Sequence, residues 1–182
     1  RPAPGPDSVI TPPAFYLNAA NPGPASSHWL LPGPKQCFDS TSASDPGCAY
    51  NYGWSAADQA FDVAAAATSQ NIAAEEEWWI DVETTNSWDG NFWANGTAIE
   101  GYRDLLRTRG VARIGIYSTA KQWKAIAGNF VIADVFNWLA GAPDLLTAPG
   151  YCGLSFTGGP VQLVQFASGS FDADYDCLSI PR

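Results

Sequence analysis

Two hydrophobic periods alternate along this chain. Ala14–Ala19 is an apolar run that ends at Asn21-Pro22-Gly23-Pro24, and it predicts a first strand. Residues 25–47 are rich in Ser, Pro, Gly and Asp and read as loop, after which Cys48–Tyr52 reads as a second strand. From Ser55 the period changes: Ala57, Ala60, Phe61, Ala64 and Ala67 recur at helical spacing behind a Ser55/Asp58 pair placed like a capping box. Trp78–Glu83 is apolar until it ends in carboxylates, and predicts a central strand. Thr97 and Glu100 repeat the capping spacing ahead of a stripe of Ile99, Tyr102, Leu105 and Leu106, which Gly110 stops. Arg113–Ser118 is the next strand, and a short helix capped by Thr119 presents Trp123 and Ile126 and ends at Gly128. Asp134–Ala140, Gly153–Thr157 and Val161–Phe166 complete about seven strands against three helices.

Strands alternating with helices through the middle call for βαβ units and a parallel sheet. The chain has 182 residues, whereas an ordinary eight-fold barrel takes about 250. The expectation is therefore an α/β protein with a short, irregular TIM-like (β/α) barrel in which loops replace several helices. One such domain occupies residues 14–182, behind an extended proline-rich arm over residues 1–13.

Composition narrows the function classes. The net charge of −9 with only nine basic residues argues against nucleic acid. No apolar run is long enough to enter and cross a bilayer, and an acidic surface suits neutral or cationic substrates better than anionic lipid. Four cysteines without a CxxC pair, beside one histidine, make a zinc site a poor fit. Their even number and local spacing favour disulfides Cys37–Cys48 and Cys152–Cys177 in an oxidising, extracellular compartment; four buried free thiols are the alternative. The chain opens Arg1-Pro-Ala-Pro, as a processed mature end would. Asn95-Gly96-Thr97 is a glycosylation triplet of a kind that arises often by chance.

The sharpest chemical feature is Asp81-Val82-Glu83. A strand has a period of two, so both carboxylates point to one side, with Cα atoms roughly 6.5–7 Å apart. Such a pair resists double ionisation, which leaves one group to act as general acid while the other stays charged. Glycoside hydrolysis uses that arrangement, and parallel α/β folds place their sites at the C-terminal ends of strands, where this pair falls. A solvated strand end is the plainer reading. Glu75-Glu76-Glu77 reads as a solvated turn. Asp172, Asp174 and Asp176 alternate beside Cys177, and read either as a polar turn or as carboxylates joining the same cleft. They lack the glycine and distal glutamate of an EF-hand, and no metal is assigned there. Eight tryptophans are many for this length. Trp78, Trp79 and Trp123 suit the core. Trp29, Trp54, Trp88 and Trp93 lie in expected loops or strand ends and could offer flat faces to sugar rings. Asn18, Asn21, Asn51 and Asn86 fall at similar ends, as hydroxyl partners or as turn residues. Tyr117 and Gln165 close strands. Ser118 and Ser155 have no histidine partner.

Taken in order, WWIDVE, RIGIYSTAKQW, FNWLAG, VQLVQF and GSFDAD resemble the pattern of glycoside hydrolase family 25, over roughly residues 48–176. FYLNAANPG and CAYNYGWSAA look like secreted actinobacterial barrel proteins related to that family. The resemblance implies a lysozyme-type muramidase on a short (β/α) barrel, working without a cofactor on a polysaccharide of the cell wall, as a single secreted chain. It implies Glu83 as general acid and Asp81 as the partner that stabilises the oxocarbenium-like transition state or orients an N-acetyl group. Asp172 would be the aspartate of the last turn, Asp174 would stand where the family has Asn, and Tyr117 would be the family tyrosine. Asn51, Trp54, Trp88 and Gln165 join Asn18 as expected substrate contacts. The family's first strand carries an aspartate where this chain has Asn18, which points either to a different wall sugar or to a binding module on the same fold.

Overall fold

The computed structural model describes residues 14–29 and 31–178; the expected proline-rich arm lies outside them. Six strands form one sheet in the order β1 (Ala14–Asn18), β2 (Glu77–Asp81), β3 (Ile114–Ser118), β4 (Phe136–Ala142), β5 (Val161–Ser168) and β6 (Phe171–Asp176). The first five run parallel, and β6 returns antiparallel to β5. Four helices, α1 (Pro46–Ala67), α2 (Gln70–Glu75), α3 (Phe92–Thr108) and α4 (Ala120–Ala127), are threaded between β1 and β4. The expected alternation is present, as a half-barrel.

The curl of the sheet is measurable. In a flat sheet β1 and β4 would lie about 14 Å apart, yet the rings of Tyr16 and Trp138 meet at 5.6 Å. Gln162 of β5 reaches Glu77 of β2 at 2.9 Å. Side chains on the inner face therefore converge. That face holds Trp79, Trp138 and Leu163, with Tyr117 and Phe136 against them. The outer face carries Leu17, Trp78, Ile80, Val82, Ile114 and Ile116 into the main core, against Phe61 of α1, Ile99, Tyr102 and Leu106 of α3, and Trp123 of α4. Alternation along each strand thus sends every second side chain to the inside of the curl.

Several elements differ from the expected ones. Cys48–Tyr52 is the first part of α1, not a strand: Asp45 caps the helix by accepting from the Cys48 N–H at 2.8 Å, and Pro46 occupies its first turn. Ser55 lies mid-helix. Thr97 is likewise inside α3, whose N-cap is Asn91, accepting from the N–H groups of Trp93 and Ala94. Gly153–Thr157 is not a strand. Buried Asn137 holds it as a loop, accepting from the N–H groups of Phe156 and Thr157 and donating to the Thr157 hydroxyl. Residues 172–176, for which a polar turn is one of the two readings, lie in a strand. Glu77 is no solvated acid; it is buried and paired with Arg113 at 3.1 Å. The Thr119 cap and the Gly128 stop of α4 are as expected, Gly128 having φ of 64°. Both disulfides, Cys37–Cys48 and Cys152–Cys177, are formed.

Candidate active site

The parallel register lines up the inward positions. Asn18 of β1 lies opposite Asp81 of β2, Asp81 opposite Tyr117 of β3, and Tyr117 opposite Trp138 of β4. On the far side Gln165 of β5 faces Asp174 of β6. These rows are stitched across the curl. The Tyr117 hydroxyl donates to Gln165 Oε1 at 2.9 Å, and the Trp138 indole N–H donates to Asp174 Oδ1 at 2.7 Å. Asp81, Tyr117, Trp138, Gln165 and Asp174 therefore belong to one concave surface, at the C-terminal end of β2. Tyr16, 58 % exposed, lies over Trp138 at its open edge.

Glu83 stands just past the end of β2, beyond buried Val82, on the same side as Asp81. A tight turn holds it. The Glu83 carbonyl accepts from the Asn86 N–H at 3.1 Å and from the Trp88 indole N–H at 2.8 Å. Asn86 also donates its side-chain amide to the Asp81 carbonyl at 3.4 Å. Gln122, at the start of α4, accepts from the Thr84 N–H at 2.6 Å and donates to the Glu83 carboxylate at 3.5 Å. The Ser118 hydroxyl donates to the Val82 carbonyl at 2.7 Å, locking β3 to this turn.

The electrostatics follow from this crowding. Burial, and then the neighbouring Glu83 charge, push Asp81 up to about 6. One of its oxygens, Oδ1, is buried without a hydrogen-bond partner. Burial raises Tyr117 to about 12, helped by the charges of Glu83, Asp81, Asp172 and Asp174 in that order. The four carboxylates thus surround one phenol. Burial also raises Asp174, with Asp172 adding to the shift and the Trp138 N–H opposing it. Asp81, Tyr117 and Asp174 therefore keep their protons to higher pH than they would in water.

Two expected contacts lie elsewhere. Asn51 is buried in α1, where it accepts from the Lys35 N–H and donates to the Lys35 carbonyl. Trp54, also in α1, stacks on Tyr50 and packs on the core at the outer face of the sheet. A strand over residues 48–52 would set both beside the cleft; α1 sets them away from it. Asn21 is buried and donates to Asn95 and the Ala43 carbonyl. Trp29 is buried too, and Trp93 is an exposed residue of α3 resting on Phe130. Asn95 itself is fully buried, its amide donating to the carbonyls of Asp89 and Ile126, so the glycosylation triplet is a structural pin. Sequence reasoning missed Tyr16, Trp138 and Gln122; for the first two, alternation with Asn18 and along FNWLAG was the available signal. Cys37, Asp45 and Cys48 are grouped closely enough for a metal, but the two sulfurs form a disulfide and Asp45 caps α1.

A family model described as lysozyme-like protein 1 matches residues 48–141, just over half the chain. This span runs from the start of α1 through β4 and includes Asp81, Glu83 and Tyr117. Over 53 residues the chain is 34 % identical to the probable GH family 25 lysozyme 5 of Dictyostelium discoideum, which covers 29 % of this chain and 24 % of that protein. The chain thus spans about a quarter of the length of the curated relative it matches. No solved structure matches. On the family model's coverage, supported by this partial relative, the chain belongs to the lysozyme-like protein 1 family and is similar to the glycoside hydrolase family 25 lysozymes.

Proposed function

We propose that this protein is an extracellular glycoside hydrolase that cleaves glycosidic bonds in a cell-wall polysaccharide. The observation that carries the reading is the Asp81–Glu83 pair, set on one side of β2 at its C-terminal end, with Asp81 raised to about 6 and one of its oxygens unpartnered. Burying a carboxylate in this way costs stability, a cost that functional sites carry. The family supports the substrate class, the half-barrel suits a short irregular barrel enzyme, and the two disulfides suit an oxidising compartment.

In this reading Asp81 holds a proton up to about pH 6 and passes it to Glu83 when substrate binds, which leaves Asp81 charged. Glu83, farther out along the strand and steadied by Gln122, is assigned as the group that meets the glycosidic oxygen. Asp81 and Asp172 then face the positive charge that develops on the sugar ring. Asn18, Tyr117, Gln165 and Asp174 line the same surface, and Trp88 holds the turn that aims Glu83. Full activity needs one proton on the pair, so kcat/KM is expected to fall as pH rises through about 6.

The test is release of reducing ends from a panel of wall polysaccharides, peptidoglycan included. Release from at least one is the expected result. Tight binding without release would favour the second reading, a carbohydrate-binding protein on this fold. Asn18 favours that second reading: it stands in register with Asp81, at the position where the family carries an ionisable aspartate, and it can supply neither charge nor proton.

A further inference from the structure

We infer that the cleft selects a glycan bearing free amino groups, such as a de-N-acetylated hexosamine polymer, over neutral or anionic ones. This rests on the glycosidase reading of the same cleft and adds to it the charge of the substrate.

Three observations carry it. First, Asp81, Glu83, Asp172 and Asp174 are gathered on one concave surface, and among the described residues none of them takes part in an ion pair. The arginines that pair are engaged elsewhere: Arg103 with Glu100, Asp104 and Asp134, Arg107 with Asp134, Arg109 with Asp58 and Asp62, and Arg113 with Glu77. Second, the named charges acting on Asp81, Tyr117, Asp174 and Tyr16 are all negative. A ligand carboxylate or phosphate entering here meets unrelieved repulsion, and an ammonium meets the reverse. Third, two donors on that surface are already spent. The Tyr117 hydroxyl is already given to Gln165 and the Trp138 N–H to Asp174. Carboxylates only accept. Asp81 Oδ1 lacks a donor altogether. A hexosamine ammonium brings three donors and a positive charge to such a surface, where an N-acetyl group brings one donor and an acceptor. Tyr16, exposed over buried Trp138, offers an apolar ring face beside those acids for the body of the sugar.

The test compares a glucosamine oligomer with its fully N-acetylated counterpart, using calorimetric binding and cleavage by the whole chain at about pH 6.5, where Asp81 is mostly charged. The amine-bearing oligomer is expected to bind about tenfold more tightly at low ionic strength, and the difference should shrink in about 0.5 M salt. Asp174→Asn, which keeps an oxygen to accept from Trp138, should lower the preference for the amine form, and Asp172→Asn should do the same. Equal or tighter binding of the N-acetylated oligomer, or a preference that ignores both salt and these substitutions, would overturn the inference. If the neutral oligomer is cleaved without any preference, the charge selection fails while the glycosidase reading stands. If neither oligomer binds and no wall polysaccharide is cut, the glycosidase reading falls too.

Discussion

Asp81 holds a charge that its surroundings disfavour, and this fixes how stability depends on pH. Its folded pKa of about 6 lies above the ordinary 3.8, so folding favours the protonated form. The penalty is absent below about pH 3.8, builds as the group ionises, and is complete above about 6. For a partly exposed group it amounts to about 1–2 kcal/mol. Asp81→Asn should therefore raise the melting temperature at pH 7.5 by a few degrees and leave it unchanged near pH 3.5, as read by calorimetry. A loss of stability at both pH values would mean that Asp81 supports the fold. At this scale the sequence was informative where spacing alone decides geometry. The DxE triplet placed two carboxylates on one side of a strand end without any knowledge of the fold. Alternation sets Tyr16 and Trp138 on the same side as Asn18, but their meeting depends on the curl of the sheet.

Helix boundaries depended on recognising the capping residue. Thr119 and Gly128 bracket α4 with a polar cap and a left-handed stop, and both were legible. Asp45-Pro46 is an equally good start signal, and a helix begun there sets Asn51 and Trp54 in α1, away from the cleft. The close packing of α1 on α3 explains the composition of that segment. A Cβ on Gly53 would sit 2.0 Å from the Ala98 carbonyl oxygen, and one on Gly101 would sit 2.1 Å from that of Tyr50. Gly101→Ala should accordingly cost about 2–3 kcal/mol by pushing the helices apart, measurable as a lower urea midpoint. Asn137→Ala should cost a similar amount, since it strands the buried N–H groups of Phe156 and Thr157. Gly153–Thr157 has the short apolar look of a strand, but two of its N–H groups are taken by the Asn137 side chain instead of a neighbouring strand.

Across the whole molecule the sheet is parallel through β5, and β6 returns antiparallel with Asp172 and Asp174 on the inner face. The Cys152–Cys177 bridge spans 25 residues and ties the end of β6 to the loop before β5. The Cys37–Cys48 bridge spans 11 and fastens the long loop after β1 to the first turn of α1. Each contributes about 3 kcal/mol in the chain-entropy model. Reduction should lower the melting temperature by several degrees, and an unchanged transition in reductant would contradict that role. Among the described residues no helix is long and apolar enough to cross a membrane. The alternating pattern announced strands and helices in the right class, whereas the number of strands and the direction of the last one depended on contacts far apart in the chain. Short strands near the C-terminus differ little in sequence from packed loops.

The central claim is that Glu83 performs chemistry, and the most direct measurement is reducing-end release from the best wall polysaccharide by the parent protein and by Glu83→Gln, with melting temperatures recorded for both. The predicted result is a loss of at least about a hundredfold in turnover with the melting temperature nearly unchanged. A Glu83→Gln protein that cleaves at the parent rate, or one that loses activity only because it unfolds, would contradict it.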